Sequence, residues 1–126
     1  MRPHRDRDAG SAVVEFVVVV PLLALLVLGV VQVGLALYVR STIASAAAEG
    51  ARVAAVSGGD VVAGEARTRA ALAGSLADGV IDDVSVTRVA SGGIATLDVV
   101  VRARLPLVGL LGPSALEVHG HAIAEA

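Results

Sequence analysis

The chain has 126 residues, of which 56% are hydrophobic, and its formal net charge is −2. Its ten basic residues are all arginines, and Phe16 and Tyr38 are its only aromatic residues. These features exclude the basic, base-stacking surface of a nucleic-acid-binding protein, so no nucleic-acid partner is expected. The absence of cysteine excludes disulfides and thiolate metal sites.

An uncharged apolar run of 24 residues, Phe16 to Val39, dominates the N-terminal third of the chain. Gln32 is its only strongly polar side chain. A helix rises about 1.5 Å per residue, so this run covers about 36 Å, enough to cross a hydrocarbon core of about 30 Å. The sequence therefore predicts a transmembrane helix over residues 16–39, placed in the cytoplasmic membrane.

The residues before the run set the expected orientation. Arg2, Arg5 and Arg7 precede it, and the positive-inside rule then favours a cytoplasmic N-terminus. Residues 1–10 are predicted to be a cytoplasmic leader, with the C-terminal part outside a membrane crossed once. A conventional cleaved signal peptide is an alternative, but its apolar stretch spans only about 7–15 residues.

Three residues inside the run affect how the helix packs. Pro21 removes a backbone donor, so a bend or local loosening is expected there. Gly29 and Gly34 are five residues apart and do not form a GxxxG dimer motif. We expect them to leave room for packing in the membrane.

The helical pattern continues beyond the membrane run. The segment 40–56 is rich in alanine and lacks proline, so one long helix is predicted over residues 11–57. Glu49 and Arg52 have the i,i+3 spacing of a helical ion pair. Gly50 between them is either a site of close backbone approach or a tolerated weak point.

The remaining residues, 58–126, predict a small α+β domain outside the membrane. Asp60 is a plausible N-cap for a second helix over 61–76, which Asp78-Gly79 would end. Alternation of apolar and polar residues then predicts strands from Val80, over 96–105 and over 116–123.

The expected fold class is α+β and pilin-like. It comprises a long N-terminal transmembrane helix continuing outside the membrane, a short second helix and a three-stranded antiparallel sheet. Ser91-Gly92-Gly93 is the predicted hairpin turn. The apolar loop 106–113 is too short to span a membrane, and it is expected to be either buried or a docking patch.

The sequence contains few groups of residues that could catalyse a reaction or bind a metal ion. Glu117, His119 and His121 share one face of the last predicted strand, where two imidazoles and a carboxylate could bind zinc. Alternation along an exposed edge strand explains the same pattern, so we predict no metal and keep His119 and His121 as weak candidates. No sequence context supports a nucleophilic, phosphate-binding or paired-carboxylate site. The chain is predicted not to be an enzyme and to need no cofactor.

The segment from Gly10 to Phe16 gives the clearest indication of function in the sequence. If the chain is cut after Gly10, Ser11 becomes the new N-terminus and Glu15 follows one helical turn later. A charge so near hydrocarbon is costly unless it is neutralised. In a helix bundle, this carboxylate could pair with a neighbour's amine and fix the axial register. Alternatively, Glu15 only marks the membrane boundary.

These residues, read Gly-Ser-Ala-Val-Val-Glu-Phe and followed by Pro21 and the apolar run, resemble the N-terminus of TadE-like proteins. That family comprises pseudopilins of bacterial tight-adherence (Flp-type, type IVc) pilus systems. The stretch Ala-Glu-Gly-Ala-Arg at 48–52 is similar to the motif that the family carries after its membrane helix. The resemblance covers roughly residues 9–56.

The resemblance implies cleavage by a prepilin peptidase between Gly10 and Ser11, with Glu15 and Phe16 acting in assembly. Glu49, Gly50 and Arg52 would be the motif after the helix. The product would be a minor pseudopilin or assembly factor whose partners are other pseudopilins and the pilus or secretion machinery. The alternative is an uncleaved single-pass membrane protein whose outer domain binds an envelope partner or a ligand.

Overall fold

The computed structural model describes residues 5–76, 79–105 and 114–124 of the chain. Its elements in chain order are helix α1 (Arg5–Val56), helix α2 (Val61–Ala73) and strands β1 (Ile81–Ser91), β2 (Ile94–Leu105) and β3 (Ser114–Ile123). The predicted α+β class is confirmed: a long apolar N-terminal helix, a short second helix and a three-stranded antiparallel sheet.

The chain divides into two compact units, Met1–Leu35 and Ala36–Ala126, and helix α1 contributes residues to both. It begins at Arg5, earlier than the predicted start at Ser11, and it ends at Val56. No proline interrupts the chain between Arg5 and Gly10, and a single helical glycine costs only about 1 kcal/mol, so the helix extends through these residues. It also continues through Pro21.

The break between the helices follows from its glycines and its cap. Gly58 and Gly59 adopt φ values of 72° and 87°, which side chains other than glycine rarely adopt. Asp60 Oδ1 then accepts hydrogen bonds from the backbone N–H groups of Val62 at 2.9 Å and Ala63 at 3.2 Å. The predicted N-cap is confirmed.

Helix α2 ends at Ala73, three residues before the predicted end at Leu76. Gly74 is the C-cap, and its N–H donates to the Leu72 carbonyl oxygen. The N–H groups of Ser75 and Leu76 donate to the same oxygen at 3.1 and 3.0 Å, so the regular series of α-helical hydrogen bonds ends here. Asp78, the expected end signal, lies outside the described residues.

The sheet has the strand order β1-β2-β3 with both pairs antiparallel. Gly92 and Gly93 form a two-residue turn with φ values of 61° and 83°, the signature of a type I′ hairpin. This turn places Ser91 opposite Ile94, so β2 begins two residues before the predicted Thr96. The loop 106–113 lies outside the described residues.

The core of the second unit is built from small aliphatic residues rather than aromatic ones. Alternate residues of β2 are buried, and the predicted alternation around Val99 and Val101 is confirmed. They pack in one cluster with Ile43 and Ala47 of α1. A Cβ on Gly120 of β3 would lie 2.6 Å from the backbone carbon of Ala47, so the helix backbone lies directly against the strand.

Helices α1 and α2 also meet through glycines. A Cβ on Gly50 would overlap Thr68 Oγ1 and lie 2.8 Å from the Gly64 carbonyl oxygen. A Cβ on Gly64 would lie 2.7 Å from the Cβ of Ala54. Thr68 is fully buried, and its hydroxyl donates to the Gly64 carbonyl at 2.9 Å. Of the two readings of Gly50, close backbone approach is therefore the one that the structure supports.

Candidate functional site

The predicted processing segment lies on helix α1 with its side chains exposed. Gly10, Ser11, Glu15 and Phe16 are all exposed, and a Cβ on Gly10 would meet no atom within 4 Å. Ser11 and Glu15 are four residues apart, so they lie on the same face of the helix about 6 Å apart along its axis. An N-terminal amine at Ser11 would thus lie one turn from the carboxylate.

The apolar run after Glu15 is exposed over most of its length, except that Gln32 and Ala36 are half-buried and Val39 is buried. Helix α1 from Gly10 to Val56 is long and apolar enough to cross a membrane, and its most apolar window has a mean hydropathy of 2.9 with 0% buried inside the chain. Exposed side chains include Phe16, Leu22, Leu25, Leu26, Val30, Val33 and Leu37. An apolar surface of this extent needs lipid or other apolar helices around it.

The three packing residues of the run are all exposed on α1. Pro21 lies inside the helix. A Cβ on Gly29 or on Gly34 would meet no atom within 4 Å, so both glycines leave open surface on the helix. Their role in packing against a neighbouring helix stays a prediction.

The motif at 48–52 joins α1 to α2. Glu49 Oε1 accepts from the guanidinium of Arg67, with the Nε contact at 3.0 Å. The predicted Glu49–Arg52 pair is therefore wrong, because α2 packs beside α1 and brings Arg67 to the carboxylate. Gly50 is buried against α2, whereas Arg52 is exposed. Two of the three motif residues thus contact the second helix.

A cluster of ionisable side chains lies on the sheet face away from the core. Asp98 of β2 is directly opposite His121 of β3, and His119 lies two residues away on the same face. Asp98 Oδ1 is 3.4 Å from His119 Nδ1 and 3.2 Å from His121 Nδ1. The two imidazole rings stack with their centroids 6.0 Å apart.

Glu117, which the sequence grouped with the histidines, has a different partner. Its Oε2 accepts from Arg102 Nε at 3.2 Å, while its Oε1 lies 3.1 Å from His119 Nε2. The hydrogen bond from Arg102 holds the pKa of this carboxyl below its ordinary value. Asp98 is thus the carboxylate that lies within 3.4 Å of both imidazoles. Sequence reasoning missed it because the β2–β3 register was not predictable.

The comparison with known protein families gives a match that lies within helix α1. The sequence profile described as TadE-like protein matches residues 10–52. Residues 10–52 are therefore similar to TadE-like proteins, and they are called the TadE-like segment below. The match spans both motifs, from Gly10 at the processing segment to Arg52 after the apolar run. No curated protein and no solved structure matches the chain significantly.

The match of this segment to the TadE-like family limits the classes of function that the chain is expected to have. The family is one of structural pilus components and is not known for catalysis. Together with the long apolar helix, it fits a pilin-like membrane protein associated with pilus machinery. The α+β unit of residues 36–126 carries the C-terminal end of this segment into its core, where Ala47 and Ala51 are fully buried.

Proposed function

We propose that the chain is a TadE-like pseudopilin, a membrane-anchored structural or assembly component of a tight-adherence (type IVc) pilus or a related secretion apparatus. One observation carries the proposal: the TadE-like segment is uncharged from Phe16 to Val39, its large apolar side chains are exposed as far as Tyr38, and a single carboxylate, Glu15, lies at the start of this run. The chain crosses the cytoplasmic membrane once, with residues 1–10 inside and residues 40–126 outside.

Processing by a prepilin peptidase occurs between Gly10 and Ser11 in this account. The exposure of both residues supports it, since a protease needs access to the scissile bond. The open space around Gly10 also means that the fold does not require a glycine there. A requirement for glycine at this position would therefore come from the peptidase rather than from the packing of the chain.

Assembly of several such chains depends on two interactions between their helices, an ion pair and apolar packing. After cleavage, the Ser11 amine and Glu15 carry opposite charges on one helix face, close to hydrocarbon. In a bundle of such helices, the carboxylate of one chain pairs with the amine of a neighbour, and the pair fixes their axial register. Phe16 and the exposed residues that follow supply the packing surface, with Pro21, Gly29 and Gly34 allowing helices to approach.

Outside the membrane, residues 40–126 make the lateral contacts. The Glu49–Arg67 ion pair and the Gly50–Thr68 contact fix α2 against the end of the TadE-like segment. The alternative function, an uncleaved anchor for a ligand-binding outer domain, uses the same fold but no processing.

A substitution at Gly10 tests the processing step. In cells that contain a prepilin peptidase, we expect Gly10→Val to abolish cleavage, leaving the full-length chain in the membrane, because the peptidase must accommodate the residue before the scissile bond. Folding should be unaffected, since a side chain at Gly10 meets no atom within 4 Å. The measurement is the intact mass of the purified chain.

Gly29→Val is the matched control, because it also adds a side chain to an open position of α1. It should be cleaved like the unmodified chain. Equal processing of all three chains would show that cleavage does not depend on Gly10 and would contradict the proposed site. Processing of none would favour the uncleaved anchor.

A further inference from the structure

The cluster of Asp98, His119 and His121 on the outer sheet face has the composition of a transition-metal site. One oxygen of Asp98 and one nitrogen of each imidazole lie within 4.8 Å of one another. Imidazole and carboxylate are ligands suited to first-row divalent metals such as Zn²⁺. Only β2 and β3 supply the three residues, so the register of this one strand pair positions the set.

The distances around Asp98 match those of a tetrahedral site. Ligands about 2.0–2.1 Å from Zn²⁺ at tetrahedral angles lie about 3.3 Å from one another. Asp98 Oδ1 lies 3.4 Å from His119 Nδ1 and 3.2 Å from His121 Nδ1. The ligand nitrogens of the two imidazoles lie within 4.8 Å of each other, so rotation of these two exposed side chains is what brings them to the spacing of a bound ion.

The state of the Asp98 carboxylate also points to a cation. Its Oδ1 atom is buried and accepts no hydrogen bond from any residue that the structure describes, although the Nδ1 atoms of both imidazoles lie within 3.4 Å of it. A buried acceptor without a donor is unfavourable. Hydrogen bonding within the cluster leaves this oxygen without a partner. A metal ion bound between the three side chains would give it one.

A second layer of contacts orients one of the ligands. His119 Nε2 lies 3.1 Å from Glu117 Oε1, whereas the other ring nitrogen, Nδ1, lies 3.4 Å from Asp98 Oδ1. Glu117 is itself held by Arg102 at 3.2 Å. Metal-binding histidines commonly donate their other N–H to a carboxylate, which fixes the tautomer and the ring orientation.

We propose that Asp98, His119 and His121 bind one first-row divalent transition metal, with Zn²⁺ as the probe ion, in a three-ligand site whose remaining position is open to solvent. His119 Nδ1, His121 Nδ1 and Asp98 Oδ1 are the ligand atoms, and Glu117 is a positioning residue for His119. The site belongs to the outer unit alone and does not depend on the proposed role in a pilus.

Titration of the metal-free full-length chain in detergent micelles with Zn²⁺, followed by calorimetry, tests the site. We expect saturable binding of one ion per chain and a higher Tm of the outer unit in its presence. His119→Ala, His121→Ala and Asp98→Asn should each weaken binding more than about 100-fold, and Glu117→Gln by about 10-fold. Mg²⁺, which prefers oxygen ligands, should not bind.

His4→Ala is the matched control, because it removes the only other histidine of the chain. It should leave binding unchanged. The histidine variants are expected to fold, since both side chains are exposed, and circular dichroism of the metal-free chains checks this. Absence of saturable Zn²⁺ binding, or equal affinity in folded His119→Ala and His121→Ala chains, would overturn the proposal.

Discussion

Replacing Gly50 with valine is expected to destabilise the unit of residues 36–126 by about 3 kcal/mol, near the upper end for overpacked cores. Even a Cβ at this position would overlap Thr68 Oγ1 and lie 2.8 Å from the Gly64 carbonyl oxygen. The backbone of α2 cannot move away without separating Leu72 from the shared core. Amide hydrogen exchange in β2 should accelerate roughly 100-fold, because each 1.4 kcal/mol corresponds to about a tenfold change.

Gly74→Ala is the matched control for this effect. Gly74 has an ordinary helical φ of −84°, and a Cβ there meets no atom within 4 Å, so exchange should change little. Adding Thr68→Ala to Gly50→Ala should restore part of the stability that Gly50→Ala loses, since it removes the overlapping oxygen. Unchanged exchange in Gly50→Val would show that α1 and α2 do not pack as described.

Glu15→Gln is expected to reduce co-assembly with partner pseudopilins roughly 30-fold while leaving cleavage after Gly10 intact. An ion pair about 4 Å apart near a protein surface gains about 4 kcal/mol at an effective dielectric constant of about 20. Desolvation offsets part of this gain. A net loss of about 2 kcal/mol on neutralising the carboxylate corresponds to the expected change in association.

Single cysteines in the exposed apolar surface measure this assembly directly, because the chain has none of its own. Leu25→Cys and Val33→Cys place thiols on exposed positions of α1, and disulfide cross-linking in the membrane reports contact between helices. Glu15→Asp, which keeps the charge, should retain most of the cross-linking. Equal cross-linking in Glu15→Gln and the unmodified chain would refute the charge-pairing mechanism.

Features governed by neighbouring residues were predictable from the sequence. The uncharged run predicts the long helix, Asp60 predicts the start of α2, and alternation around Val99 predicts the strands. Each depends on local hydrogen bonding or on hydrophobic periodicity. The end of α2 was misplaced because Gly74, rather than the later Asp78-Gly79, stops the ladder.

Contacts between distant elements were not predictable. Glu49 has a helical partner at the right spacing in Arg52, yet the packing of α2 gives it Arg67 instead. Asp98 joins the two histidines only because β3 pairs with β2 in one particular register. A shift of that register by one residue would move Asp98 away from the position opposite His121. No local pattern in the sequence specifies either contact.

The central claim, that the chain is a processed pseudopilin, is tested most directly by the intact mass of the chain purified from its native membrane. The account predicts a chain that begins at Ser11, with the leader removed after Gly10. A chain that still begins at Met1 or Arg2 would contradict it. Such a result would leave a membrane anchor whose function lies in the outer unit.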